Sequence, residues 1–220
     1  MKILQTISGF GGHSGGTSTC TYDLISALHA ERGMVDLLTL SSKDPTDRLM
    51  GMGEEWIHAL PNDAITPFGY SANMKRWMEG KMGEYDILHA NGLWMYANHI
   101  TCAMARKYGK PYVITPHGML YPAALRRSYW KKWPFLKLFF HKDIMHASCL
   151  HATCKQEMEH IREFGYRGPV AIIPNPMVLP APPSAKRSPK AKKAFGFLGR
   201  LHPIKKVENL FYGVELLKER

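Results

Sequence analysis

The feature that most constrains this chain is an alternation. Short apolar runs rich in Ile, Leu and Val recur along its 220 residues, and most are followed by a stretch with helical spacing. "KILQTI" (2–7), "VDLLTL" (35–40), "EEWIHAL" (54–60), "YDILHA" (85–90), "PYVITP" (111–116), "CLHAT" (149–153) and "VAIIP" (170–174) read as strands. Helices are expected over 17–31, 71–82, 95–108 and 126–147, the last interrupted at Pro134, because proline lacks the backbone donor. "KQEMEHIREF" forms another helix, stopped by Gly165. Strand-like runs alternating with helices build βαβ units. The expected fold is therefore α/β: a Rossmann-like parallel sheet with helices on both faces. Ligands of such sheets lie outside the C-terminal strand ends, so the residues just after each strand carry the chemistry.

Composition narrows the class. Hydrophobic residues make up 45% and charged residues 21%, as in soluble globular proteins. No apolar run reaches the ~18–20 residues of a membrane span, and "MKILQTIS" reads as a first strand rather than a signal peptide. Four cysteines in a chain of this size read as reduced thiols, which points to the cytoplasm. A change in composition marks a boundary. Residues 1–175 form one domain, the Pro- and Lys-rich 176–193 a linker, and 194–220 a strand ("AFGFLGRL", 194–201) and helix (207–219) opening a second domain.

The formal charge is +11. Part of it lies in "RRSYWKKWPFLKLFFHK", where cations alternate with large aromatics. Arg126, Arg127, Trp130, Lys131, Lys132, Trp133 and Lys137 suit peripheral docking on an anionic membrane, where aromatics enter the headgroup region and cations meet lipid phosphates. A helix with an aromatic core side and a solvated basic side fits the same residues.

Five glycines crowd into eight positions after the first strand: Gly9, Gly11, Gly12, Gly15 and Gly16. The loop matches neither G-x-G-x-x-G nor the phosphate loop, since Thr17 stands where a Lys would follow Gly16. A glycine turn feeding a helix N-terminus offers backbone N–H groups to an anion, or is simply a tight turn. "HANGLW" sets His89, Asn91 and Trp94 at one strand end, and "TPHGML" sets His117 and Gly118 at the next. Imidazole there could bond a sugar hydroxyl or a phosphate oxygen. His146, Cys149, His151, Cys154 and His160 are zinc-type residues, but their spacing matches no common finger, and packing is the expected role. No G-x-S-x-G elbow supports a serine hydrolase.

The glycine loop, "DILHANGLW", "VITPHGML", "IIPNPM" and "FGFLGRLHPIKK" stand in an order that resembles the retaining glycosyltransferases of family 4. The resemblance spans the whole chain. It implies the GT-B fold, two Rossmann-like domains facing across a cleft, of which this chain holds the acceptor-side domain and the start of the donor domain. It implies transfer of a hexosyl group from a nucleotide sugar to a saccharide or lipid-linked acceptor, with retention, as in bacterial polysaccharide or cell-surface glycan synthesis. By the same resemblance, Gly15 and Gly16 lie against the donor diphosphate and His117 contacts the donor sugar. Arg200 and Lys205 neutralise the diphosphate, so no metal cofactor is needed. His89, Asn91 and Trp94 are placed to touch acceptor or sugar. The chain departs from the family at Pro176, where Pro-Asn-Gly is commoner, and at Lys206, where a glycine is usual, so either lysine could fill the diphosphate role. The family's glutamate pair has no counterpart, because Glu208 and Glu215 are seven apart and too early. The 220 residues alone are therefore expected not to catalyse.

Other readings remain compatible with the residues. A non-enzymatic basic domain would bind anionic membrane or nucleic acid, although no nucleic-acid recognition motif is present and none is expected as partner. A sugar-nucleotide epimerase or a flavodoxin-like domain would share the fold but leave Arg200 and Lys205 without a role.

Overall fold

The computed structural model describes all residues except 13, 14, 45, 67, 178–194, 200, 202–204, 219 and 220, and it omits the side chains of Arg32 and Lys218. The chain divides into two units, Met1–Val178 and Leu179–Arg220.

The first unit holds seven strands: β1 (Ile3–Thr6), β2 (Val35–Leu40), β3 (Ile57–Leu60), β4 (Ile87–Asn91), β5 (Tyr112–Thr115), β6 (Cys149–Ala152) and β7 (Val170–Ile172). They form one sheet in the order β3-β2-β1-β4-β5-β6-β7, and every pairing is parallel. The α/β expectation is thus met, with β2 matching its apolar run and the other strands one to three residues shorter than theirs. The order reverses between β1 and β4. Connections leave in opposite directions there, which opens a crevice at the C-terminal strand ends.

Alternation along the strands sorts side chains onto two faces. On one face Leu4, Leu38, Leu88, Ile114 and Leu150 are fully buried beneath α2 (Ala72–Lys81) and α3 (Tyr96–Lys107), which contribute Met74, Met78, Ile100 and Ala105. On the other, Ile7, Val35 and Leu37 pack against Ile25 of α1 (Gly16–Arg32). Further along that face the row turns polar: Gln5 is paired in register with His89, and Asn91 with Thr115.

The segment 126–147 differs from the expected single helix. It is divided into α4 (Pro122–Arg126), α5 (Tyr129–Phe135), a π-helical turn (Leu136–Phe140) and α6 (His141–Met145). The break falls at Ser128, in the left-handed region at φ 56°, and not at Pro134. Pro134 lies inside α5; with no N–H to offer Trp130, the chain shifts to wider π hydrogen bonding just beyond it. α7 (Lys155–Phe164) follows β6 and ends on Gly165 at φ 110°.

In the second unit, α8 (Glu208–Lys218) forms as expected. The strand expected over 194–201 does not: residues 195–199 and 201 are without regular structure, and Leu198 is fully exposed. A strand needs a partner, and among the described residues this unit contains no other. Most of the expected linker lies outside the described residues, as does Arg200.

One ion cluster ties the inserted helices to the sheet. Asp143 of α6 is fully buried. It accepts from Arg106 Nη2 at 2.6 Å and from His99 Nδ1 at 2.7 Å, both on α3, while its carbonyl accepts from the Tyr112 hydroxyl at 2.7 Å. Removing one partner of such a pair strands the other charge. Asp143→Ala is expected to cost about 3 kcal/mol of unfolding free energy in urea. Lys107→Ala, which breaks the exposed pair with Glu79, is expected to leave the midpoint where it is.

Candidate functional site

The loops after β1 and β4 part at the reversal of strand order. After β1 the chain is held closely: Ser18 Oγ donates to Gly9 O at 3.0 Å, and Met50 N donates to Phe10 O at 3.1 Å. A Cβ at Gly11 would collide with the Asp47 carboxylate, so that glycine serves a close approach. Gly15 caps α1 at φ 84°, which favours glycine, and no side chain caps the helix there. At Gly15 and Gly16 no described atom lies within 4 Å of where a Cβ would sit. Ser18 N and Thr19 N turn back to Gly15 O at 3.1 and 3.4 Å, and the helix dipole adds partial positive charge at this end.

On the sheet face beneath α1, two histidines and a threonine form a chain of contacts. His151 Nε2 lies 2.7 Å from Ile173 O, a carbonyl that can only accept, so Nε2 carries the proton. Its Nδ1 lies 3.0 Å from Thr115 Oγ1. The same hydroxyl lies 2.6 Å from His89 Nε2, so it bridges the two rings. Burial, with the neighbouring His151 and His117, pushes the His89 pKa down to about 3. Burial likewise lowers His117 to about 4, partly opposed by Glu157. Both rings are neutral at pH 7.

His117 sits in the left-handed region at φ 51°, unusual for a residue with a Cβ. Glu157 of α7 holds this turn. It is fully buried and accepts from Gly118 N at 2.5 Å, Thr153 N at 2.7 Å and Thr153 Oγ1 at 2.6 Å. The sequence reading passed over Glu157, although a signal existed. With Ile161 it lies at i, i+4 on the inward face of α7, where an apolar residue would be ordinary.

Among the described residues, His117 Nε2 is buried without a hydrogen-bond partner, and so is Thr21 Oγ1 on α1. Both residues line a narrow crevice with Asn91, His151 and the segment from Ile173 to Pro176. Two orphaned polar atoms facing one crevice mark a place where a ligand hydroxyl or water completes the bonding.

Of the other sequence candidates, Asn91 is committed to the scaffold: its amide donates to Gln5 Oε1 at 2.9 Å and more distantly to Thr6 O. Trp94 adopts φ 69°, and its Nε1 is buried with no partner among the described residues. It stands apart from the crevice, against Phe140 and beneath Lys132 Nζ, which lies 5.5 Å from its ring centre. Arg126, Arg127, Lys131, Trp130, Trp133 and Lys137 are all exposed on α4, α5 and the turns beside them. Lys205 is exposed in the second unit, and Lys206 there has φ 48°. The zinc-type residues are dispersed: His146 bonds Lys142 O, His160 bonds Glu163, and Cys154 is exposed at the start of α7. Among the described residues no three such groups converge. No described helix is long and apolar enough to cross a membrane.

The depressed histidine pKa values have a stability consequence. A histidine ordinarily titrates at 6.5, so the unfolded chain takes up protons first as pH falls. The contribution of the neutral buried rings is complete above about pH 6.5 and is lost as pH falls toward 4 and 3. NMR titration is expected to find both imidazoles neutral at about pH 5. Glu157→Gln is expected to lower His117 further, by removing the nearby negative charge; a His117 that titrates near its ordinary value would refute this geometry.

Comparison with known proteins agrees with the fold. The model of the glycosyl transferase 4-like domain matches residues 15–176. No curated protein matches the sequence. Among solved structures, sucrose-phosphate synthase from Thermosynechococcus elongatus is 16% identical, covering 79% of this chain and 48% of its own, with a TM-score of 0.53. HepE of Anabaena, solved with UDP and glucose, is 18% identical over 80% of this chain and 45% of its own, at 0.49. MurG of Acinetobacter baumannii is 14% identical over 78% and 45%, at 0.47. This chain spans about half the length of each of these three. At such identities the likeness to sucrose-phosphate synthase bears on the fold alone. The family model, by contrast, covers most of the chain, from the helix entrance at Gly15 through the crevice residues to Pro176: the chain belongs to the glycosyl transferase 4-like domain family.

Proposed function

We propose that this chain is the acceptor-side half of an enzyme that moves a hexosyl group from a nucleotide sugar to a saccharide or lipid-linked acceptor, with retention, in the synthesis of a bacterial polysaccharide or cell-surface glycan. The observation that carries this reading is the crevice at the strand-order reversal. There Thr21 of α1 and the neutral His117 line one crevice, and each has a buried polar atom with no partner among the described residues.

Each group has a role suited to its chemistry. The backbone N–H groups at Gly15 and Gly16 donate to the diphosphate in this reading, without bringing a cation. His117, being neutral, positions a sugar hydroxyl by a single hydrogen bond rather than by charge. Charge accumulates on the leaving diphosphate as the glycosidic bond breaks, and preplaced cations stabilise it. Arg200 and Lys205 or Lys206 supply that charge in this reading, so transfer needs no metal. The exposed basic and aromatic residues from Arg126 to Lys137 hold the domain peripherally on the inner face of the cytoplasmic membrane, where a lipid-linked acceptor resides.

The test is nucleotide release and glycosyl transfer by this chain joined to a complete donor-binding domain. A panel of nucleotide sugars would be offered, with and without chelator. His117→Ala and Gly16→Val are each expected to lower kcat/KM by about 100-fold. Chelator is expected to change nothing, and the 220 residues alone are expected to turn nothing over. Unchanged activity in both variants would refute the site.

A further inference from the structure

The basic, aromatic insertion does more than coat the surface. Between the loop after β3 and the α4–α5 insertion after β5 lies a cleft of about 560 Å³, within the ~300–1,000 Å³ of ordinary small-molecule sites. Phe68, Trp94, Pro134 and Phe135 form its apolar lining, and Trp130 and Lys131 stand at its edge. Phe68 stacks on Phe135 with ring centres 4.8 Å apart, so the two walls touch at one end. The loops that build the cleft all follow C-terminal strand ends, as does His117. The Trp94 loop is fastened to the His117 turn: Gly92 N donates to Thr115 O at 2.8 Å, and Leu93 N to the sulfur of Met119 at 3.2 Å.

Three observations bear on what fills it. Trp130 is 85% exposed and Leu138 69%, large apolar groups that a soluble surface seldom leaves open together. Arg126, Arg127, Lys131, Lys132 and Lys137 have no carboxylate partner among the described residues. Lys132 instead donates to Ala124 O at 2.6 Å and caps the Trp94 ring, its pKa lowered by burial and by Arg127. Finally, the buried Trp94 Nε1 has no acceptor among the described residues. The surface asks for an occupant with an apolar body and a compact anionic head. An acidic peptide could satisfy the cations, but it offers little to an apolar lining.

We propose that this cleft takes the hydrocarbon chain of one phosphorylated lipid, with its phosphate held by Lys131 and Lys132. That this lipid is the sugar acceptor rests on the glycosyltransferase reading above; the binding itself does not.

The test is isothermal titration calorimetry of the 220-residue chain with dodecyl phosphate below its critical micelle concentration. Dodecanol, inorganic phosphate, an acidic peptide and phosphatidylglycerol vesicles serve as separate arms. Saturable one-to-one binding of dodecyl phosphate is expected, at least about tenfold tighter than dodecanol, with no heat from phosphate or peptide. Trp130→Ala and Lys131→Glu, both at exposed positions that leave the core intact, are each expected to weaken it by about tenfold. Phe135→Glu is expected to abolish it, with circular dichroism confirming the fold. Vesicle binding without monomer binding would overturn the inference, reducing the patch to a bilayer-docking surface and leaving the enzymatic reading untouched. Equal affinity for dodecanol, equal affinity for the peptide, or indifference to Trp130→Ala and Lys131→Glu would also overturn it. Because no arm contains a sugar nucleotide, failure here is distinguishable from failure of the transfer assay.

Discussion

The structure depends on the reversal of strand order between β1 and β4 in an all-parallel sheet. The chain leaves β1 toward one edge and β4 toward the other, so the loops at their C-terminal ends part and leave a gap. Into that gap the sequence places a glycine-rich entrance to α1 on one side and two histidine-bearing turns on the other. Everything that reads as chemistry in the first unit lies around this opening. The N-terminal edge carries a different kind of polar cluster. There Lys2 and His58 meet Asp36, which accepts from Tyr85 at 2.6 Å, and the bonds are satisfied internally.

The opening is costly to build. A sheet face that could have been Val and Ile throughout instead carries Gln5, His89, Asn91, Thr115 and His151. Buried polar groups are tolerated when each finds a partner, and here nearly all do. Asn91 joins β1 to β4, and Thr115 bridges two histidines, the second of which grips the Ile173 carbonyl where the chain leaves β7. The atoms left over, His117 Nε2 and Thr21 Oγ1, face the same crevice. The turn bearing His117 would relax without Glu157, whose carboxylate accepts three hydrogen bonds from the turn and from Thr153. A strained backbone held by a fully buried carboxylate is a costly arrangement, of the kind that collects at functional sites.

The insertion after β5 follows a different logic. Its inward side is aromatic and well packed, with Phe139 and Phe140 against Phe68 and His99, and Asp143 anchors its end. Its outward side remains apolar and cationic together. The two readings open at the sequence level, core packing and an interfacial surface, each describe one side of it. The aromatic–cation mixture was visible in the residue order. That Phe68, more than sixty positions before Phe135, supplies the opposite wall was not, because nothing local to either residue encodes their meeting.

The sequence by itself determined the alternation of strand and helix, and with it the parallel sheet and the strand ends where His89, Asn91, His117 and the glycine loop stand. Periodicity and punctuation by Gly and Pro are local properties, legible residue by residue. Legibility failed where the local signal depends on neighbours. "AFGFLGRL" has strand composition, yet 195–199 and 201 form no strand, because pairing requires a partner that composition cannot supply. Pro134 looked like a helix break, but packing of the insertion carried the helical path past it through a π turn. Only the tertiary structure decided that Glu157 sits beneath Gly118, that Thr115 links two histidines, and that Asn91 braces the sheet while it lines the crevice. Those outcomes rest on contacts between residues dozens of positions apart, and burial sets the protonation of the histidines only once those contacts have formed.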